Sequence, residues 1–324
     1  MPKILELQKK AMGSGGVSYD EAEWLLGRND DETLDVIASA NEVRRHFKGN
    51  KVKLCSIVNA KSGRCPEDCG YCAQSSRHKT QIDIYPLMSA DEINEKAKKA
   101  KKEVAAYFSI VTSGKGISSE KEMDEICLAL KKIGSIDINR CASLGILSID
   151  QLKKLKAAGL KKFHHNLETS KSHFGKICTT HKYEDRIATI KAAKEAGLSV
   201  CSGGIFGLGE SLEQRIELAF QIKELDPDSI PINFLNPIAG TRLEKNKLLI
   251  PLEALRIIAM FRFVMPEKDI VICGGREITL KQFQPLMFIA GANMTMLGNY
   301  LTTAGNKPED DIKMITALGL KVSE

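Results

Sequence analysis

Cys65, Cys69 and Cys72 form a C-x3-C-x2-C triplet in the run Cys65-Pro66-Glu67-Asp68-Cys69-Gly70-Tyr71-Cys72, with no fourth cysteine beside them. A four-iron cluster takes four thiolates, and a closed structural zinc site takes four ligands. A local triplet therefore predicts a cluster with one iron left open, and an open coordination position is where a metal centre does chemistry. Two other readings compete: a zinc site completed by a distant His or Cys, and disulfide pairing. Nine cysteines is an odd number, and the start Met-Pro-Lys-Ile-Leu-Glu has no charged-then-apolar export signal. The expected compartment is the reducing cytoplasm, where clustered cysteines are metal-bound or catalytic more often than bridged. The triplet points to an enzyme.

A loop of this kind needs a rigid scaffold, and the rest of the chain supplies one. Its 324 residues suit an α/β barrel, and 43% hydrophobic residues suffice for a large core. No apolar run approaches the ~18 residues of a membrane span. The net charge of +6 is modest, and Lys pairs such as Lys98-Lys99 and Lys153-Lys154 fall on predicted helices and turns as solvated faces. One Trp and few aromatics among them argue against a nucleic-acid partner.

Past residue 50, short β-branched runs alternate with helical patterns, the signature of βα units around a parallel sheet. Strands are expected near 52–59, 104–111, 136–141, 162–167, 198–206, 229–235, 269–273 and 292–297. Helices are expected near 90–102, 119–133, 148–158, 183–196, 211–225, 251–265, 279–290 and 307–318. Capping boxes mark three helix starts, at Ser89 with Glu92, Ser148 with Gln151 and Ser211 with Gln214. Gly134, Gly159, Gly197 and Gly291 suit helix ends, and Pro251 suits a start. Eight strands and eight helices predict a (β/α)8 TIM barrel over 51–324, preceded by a helical extension over 1–50. The triplet then falls in the first βα loop, at the face where barrels carry their chemistry.

Four further cysteines lie on odd-numbered strands: Cys55, Cys141, Cys201 and Cys273. Side chains of one interior barrel layer come from alternate strands, so these thiols are expected to converge. Each alone reads as a small buried hydrophobe; four on alternate strands suggest a second metal site. Arg276, three residues past Cys273, needs a cluster or another anionic acceptor if it points inward. Cys127 and Cys178 carry no assigned role.

The triplet with Tyr71 before its last cysteine resembles the cluster motif of radical S-adenosylmethionine enzymes. The fuller run GRCPEDCGYCAQS over 63–75 is similar to the biotin synthase family in particular. So, in order, are NLETS from Asn166, VCSGGI from Val200, GLGE from Gly207, PIN from Pro231 and GRE from Gly275. The likeness runs from about residue 50 to the end. It implies that Cys65, Cys69 and Cys72 hold a 4Fe–4S cluster whose open iron is chelated by S-adenosylmethionine. Reductive cleavage of that cofactor then gives a 5′-deoxyadenosyl radical that removes hydrogen from dethiobiotin, and an auxiliary iron–sulfur cluster inside the barrel donates the sulfur. By the same likeness, Tyr71 packs near the adenine, and Gly203, Ile205 and Gly207 belong to an adenine-contacting strand and turn. Arg186 meets the cofactor carboxylate, Glu168 the ribose, and Asn166 and Asn233 the ureido ring of dethiobiotin. A homodimer and a flavodoxin- or ferredoxin-type electron donor are also implied.

The chain departs from that family pattern in one respect. The better-known form holds a 2Fe–2S auxiliary cluster with three cysteines and one arginine. Cys141, Cys201 and Arg276 fit, but the remaining cysteine aligns with Ser109, while Cys55 and Cys273 are extra thiols. The expectation is a rewired site of Cys55, Cys141, Cys201 and Cys273, with Arg276 adjacent or displaced, holding a four-iron rather than a 2Fe–2S cluster. Alternatives are relatives with the same barrel, such as hydrogenase-cluster or methylornithine-forming enzymes, which lack the interior set. From another class, a non-catalytic iron–sulfur electron carrier needs neither an open iron nor a barrel.

Overall fold

The computed structural model describes residues 2–13 and 15–323. Its strands are β1 (Lys51–Lys61), β2 (Tyr107–Thr112), β3 (Asn139–Ser143), β4 (Lys162–His164), β5 (Ser199–Cys201), β6 (Gly204–Phe206), β7 (Ser229–Phe234), β8 (Asp269–Ile272), β9 (Met294–Met296) and β10 (Lys321–Ser323). All ladders are parallel, and β9 pairs back onto β1 through Lys53–Met294, Leu54–Thr295 and Cys55–Met296, which closes the barrel. Counting β5 and β6 as one broken stave gives eight, with β10 appended at the start of β1. Among the described residues closure leaves only this short appended strand as an edge, so the ladder groups of the eight staves find partners inside the barrel.

The expected stave at 198–206 is broken at Ser202-Gly203. The cause is packing: a Cβ on Gly203 would lie 1.9 Å from the Pro231 carbonyl oxygen. The strand expected from 104 begins only at Tyr107, because Val104 takes φ +57 as the chain leaves the preceding helix. The single helix expected over 279–290 is three short pieces: Arg276–Leu280, a 3-10 turn at Lys281–Phe283, and Leu286–Ile289. Lys281 adopts φ +49, and Pro285 lacks the N–H that a continuing helix needs. A helix at Lys171–Ile177 was not expected.

The three capping boxes form as read. Gly159, Gly197 and Gly291 end their helices at left-handed φ, whereas Gly134 stays right-handed at φ −56.

Helices Pro2–Gly13, Tyr19–Leu26 and Thr33–Lys48 precede the barrel and pack against helix Pro251–Val264. Sandwiched in this way, Ala254 through Val264 are buried on every face, which explains why that stretch has little amphipathic character. Its Arg262 is tolerated because the guanidinium donates to the carbonyls of Gly291, Pro266 and Lys268 and to Asn293 Oδ1. Burial still pulls its pKa down to about 9. Among the described residues no helix is long and apolar enough to cross a membrane.

Candidate active site

The C-terminal ends of the strands open onto a cavity of about 410 Å³ that receives both cysteine sets. The triplet leaves β1 on a loop folded back on itself. Cys65 N donates to Gln74 O at 3.0 Å, Ser76 N to Cys65 O at 2.8 Å, and Cys72 N to Cys69 O at 2.9 Å. The loop is fastened to the end of helix Lys171–Ile177 by Gly70 N to Ile177 O at 2.8 Å. Asp68 adds a second clasp, accepting from Thr179 N at 2.8 Å and Thr180 N at 3.3 Å. Despite burial, hydrogen bonds led by the Thr179 hydroxyl and then the Thr179 N–H hold the Asp68 carboxyl well below its ordinary range.

Cys65, Cys69 and Cys72 all face the cavity. Burial raises Cys65 and pushes Cys72 up to about 11, while the contact with Cys178 and then burial raise Cys69 strongly. Thiols held this high ionise when iron displaces the proton, so the donor set fits a cluster. Tyr71, Glu168, Arg186 and Ile205 line the same space. Glu168 takes φ +72, which turns its side chain from the end of β4 toward Arg186. The pair meets at 3.2 Å, with Arg186 buried and Glu168 partly so. Arg186 also donates from Nε to His181 Nε2 at 3.0 Å and from Nη1 to Asn166 O at 2.9 Å. Its Nη2 makes no hydrogen bond among the described residues and is free for an anionic ligand.

Gly203 and Gly207 do not line the cavity. Gly203 is required by Pro231, as above, and Gly207 by a turn at φ +93 that donates to Glu210 Oε1 at 2.9 Å. Asn166 and Asn233 do line it. Each spends part of its amide on neighbours: Asn166 Oδ1 accepts from Gly203 N at 3.2 Å and its Nδ2 donates to Glu168 Oε2 at 3.3 Å, and Asn233 bridges Gly274 N at 3.1 Å to Gly204 O at 3.2 Å. One N–H and one lone pair per amide remain for a ligand.

Deeper in the barrel, Cys55, Cys141, Cys201 and Cys273 border the same cavity. Burial raises Cys55, reinforced by the mutual repulsion of its thiolate with those of Cys141, Cys273 and Cys201. Burial also lifts Cys141 to about 12 and raises Cys273 strongly. Cys201 is the exception: burial would raise it, but the charge and hydrogen bond of His164, with Lys162 and Ser229 behind, bring it below its ordinary value. Lys162 donates from Nζ to Ser229 Oγ at 3.1 Å and lies 4.7 Å from the Tyr107 ring centroid. Lys162 and His164 are cavity residues that the sequence reading missed. Their signal was the alternation of β4, whose two inward positions they occupy.

Arg276 departs from expectation. It is fully buried but outside the cavity, with its guanidinium on Asp311 at 2.6 Å and Gln284 at 2.7 Å. The cause is Gly275, at φ +81, where a Cβ would lie 1.9 Å from Phe234 O; the chain turns away there and Arg276 starts a helix. At the thiols, β8 presents Val271 and the loop after it Cys273. The anionic partner foreseen for a buried Arg276 is a carboxylate.

Cys178, left without a role by the sequence, lies 3.7 Å from Cys69, sulfur to sulfur, with His181 Nδ1 3.2 Å from its own sulfur. Cys127 is buried on the outer helix Glu120–Ile133, away from the cavity.

Comparison with known proteins agrees with this geometry. Residues 60–222 match the Radical SAM superfamily, and residues 231–321 match the Biotin and Thiamin Synthesis associated domain. The chain is 50% identical over 320 residues to the biotin synthase of Pelotomaculum thermopropionicum, covering 98% of this chain and 99% of that protein. It is 52% identical over 294 residues to that of Thermodesulfovibrio yellowstonii, covering 91% and 92%. Among solved structures, methylornithine synthase superposes with a TM-score of 0.86 at 20% identity, over 98% of this chain and 97% of that one. An FeFe-hydrogenase maturase from Carboxydothermus hydrogenoformans gives 0.82 at 16% identity, over 99% and 79%. These last two are likenesses of fold alone.

Proposed function

The chain belongs to the biotin synthase family of radical S-adenosylmethionine enzymes, and from that premise we infer that it inserts sulfur into dethiobiotin to form biotin. The observation that carries this reading is one cavity bordered by two separate thiol sets, one on a loop at the mouth and one on the strands within. An electron carrier has no use for that arrangement, and family membership at this identity favours biotin synthase over its barrel relatives.

Cys65, Cys69 and Cys72 are proposed to hold a 4Fe–4S cluster, and the open corner to take S-adenosylmethionine. When bound, these groups supply the radical that removes hydrogen from dethiobiotin, and the interior cluster supplies sulfur. The protein's own residues bind and orient. Arg186, with Nη2 free, is placed to meet the cofactor carboxylate in a charge-assisted pairing. Glu168 is placed for the ribose hydroxyls, and Tyr71 and Ile205 for the adenine. The unspent donor and acceptor of Asn166 and Asn233 suit the ureido N–H and C=O of dethiobiotin. The closed barrel wall shields the sides of the reacting centre from water.

Cys55, Cys141, Cys201 and Cys273 are proposed as a four-thiolate set for a four-iron sulfur donor rather than a 2Fe–2S cluster. Lys162 and His164 are well placed to offset its negative charge, a part that Arg276 does not play. The division at residue 50, a homodimer, a flavodoxin- or ferredoxin-type donor and a cytoplasmic setting complete the proposal. The test of function is anaerobic incubation with dethiobiotin and S-adenosylmethionine, assayed for biotin; no biotin from protein with full iron and sulfide content would defeat it. The cluster assignment is tested by Mössbauer spectra, where a 2Fe–2S signal unchanged by Cys55→Ala or Cys273→Ala would sink it.

A further inference from the structure

The contact between Cys178 and Cys69 has no part in the chemistry above. We infer that, once iron is on Cys69, Cys178 is the hydrogen-bond donor to the Cys69 sulfur and so sets the reduction potential of the triplet cluster. This rests on the reading of Cys65, Cys69 and Cys72 as cluster ligands. Cys178 acts through Cys69 and is a positioning residue.

Both sulfurs are buried, and their 3.7 Å separation is hydrogen-bond contact for sulfur. Cys178 touches Cys69 from outside the cavity that the triplet faces. Without metal, Cys69 is placed to give the shared proton to Cys178. Iron displaces that proton; a metal-bound thiolate has none and can only accept. Two buried thiolates 3.7 Å apart would repel each other, so beside an iron-bound Cys69 the Cys178 sulfur keeps its own proton and is the partner that donates.

The neighbouring protons are already committed elsewhere. His181 Nε2 accepts from Arg186 Nε at 3.0 Å, which puts the imidazole proton on Nδ1, against Glu67 Oε2. Thr180 Oγ1 donates to the same carboxylate oxygen at 2.7 Å while accepting from Asp68 N at 3.1 Å. Glu67 thus collects both neighbouring protons. The flanking groups, His181 Nδ1 at 3.2 Å and Thr180 Oγ1 at 3.5 Å, fix the Cys178 sulfur in place. The same segment is clasped to the triplet loop through Gly70 and Asp68, so the sulfur pair is held from both sides. A donor to a ligand sulfur draws charge from it and favours the reduced cluster, which carries one more negative charge. The potential is raised.

The test is an EPR-monitored potential titration of the anaerobically reconstituted full chain, in a Cys141→Ala, Cys201→Ala parent that gives no interior signal. Iron and sulfide are counted in every sample. Cys178→Ala and Cys178→Val are expected to shift the midpoint potential negative, and Cys178→Ser, which keeps an O–H donor, to stay near the parent. Parent-like potentials in the Ala and Val variants overturn the inference, as does a positive shift, which would mean that a negative charge had been removed. In the parent itself, electron–nuclear double resonance is expected to find a cluster-coupled proton that D2O removes. Its absence overturns the inference even if neither variant assembles a cluster. A parent with no four-iron signal and no bound iron overturns the triplet reading instead, so the two failures are distinguishable.

Discussion

The thiols at the mouth of the barrel and those in its interior are held by opposite means. Cys65, Cys69 and Cys72 come from eight consecutive residues, on a loop fastened by a few hydrogen bonds to another loop. Cys55, Cys141, Cys201 and Cys273 are spread over more than two hundred residues, three on strands and Cys273 just past one. Backbone ladders fix those three, as in the Cys55–Met296 and His164–Cys201 pairs. The loop set is held by loop-to-loop hydrogen bonds and can shift without breaking a barrel ladder. The strand set cannot move without opening the barrel, and its charge is answered by residues of the intervening strand β4, Lys162 and His164. The two thiol sets, proposed for radical generation and sulfur storage, therefore border one cavity under different mechanical constraints.

The largest effects should separate the two sets. Cys69→Ala and Cys201→Ala are both expected to abolish biotin formation. Reductive cleavage of S-adenosylmethionine under dithionite should survive only in Cys201→Ala. If cleavage is lost in both, the two sites are not independent and the comparison fails.

Next in size is the cofactor pairing at the mouth. Arg186→Ala should weaken S-adenosylmethionine binding by roughly 10–100-fold, the loss of a hydrogen bond between charged groups at about 1.5–3 kcal/mol. Equilibrium binding to reconstituted protein checks this, and the iron content of the interior site should not change. A smaller loss, matched by a fall in interior iron, would mean that Arg186 is structural.

These two tests also mark what the chain made legible. The triplet is readable from spacing alone because its meaning is local. The interior set was readable because alternate strands share a layer, a rule that needs only strand order. Lys162 and His164 escaped notice because a lysine and a histidine in KFHH look like ordinary strand residues until β4 is known to face four thiols. Arg276 was misplaced because three residues past an inward cysteine suggests the cavity, whereas Gly275 reverses the chain there. Cys178 had no signal, since its neighbour Cys69 is 109 residues away in sequence. The small size of Gly203 and Gly207 answers Pro231 and a turn, neither of which has a signal in the sequence.

A smaller effect probes how charge is balanced inside. Lys162→Met keeps the volume and removes the ammonium that favours ionisation of Cys141 and Cys201. The interior cluster should lose iron to a chelator several-fold faster than in the parent, with the triplet cluster unaffected. Equal acceleration at both sites would show that Lys162 serves the fold rather than the interior charge.

The smallest expected effect on the site comes from the opposite end of the barrel, where Asp269 joins the N-terminal helices to the staves. Its carboxylate contacts Lys48 at 2.9 Å, Lys53 at 3.3 Å and Asn293 Nδ2 at 2.8 Å. Burial would raise its pKa, but the hydrogen bond and charge of Lys48, with Asn293 and Lys53, outweigh that and bring it to about 2. Lys48 is itself lowered by burial, so the pair contributes less than the carboxylate shift alone implies. Asp269→Asn should cost about 1–2 kcal/mol of stability at neutral pH, read as a lower denaturant midpoint. The sign with pH follows from a depressed carboxyl: this stabilisation is complete above the ordinary Asp value of about 3.9 and fades as pH falls toward about 2. The difference between parent and variant should therefore close over that window. Because the base of the barrel carries both thiol sets alike, the variant should release iron from the two clusters in the parent's ratio. A changed ratio would mean that strain at the base reaches the interior strands before the mouth, and the mechanical contrast between the sets would then need redrawing.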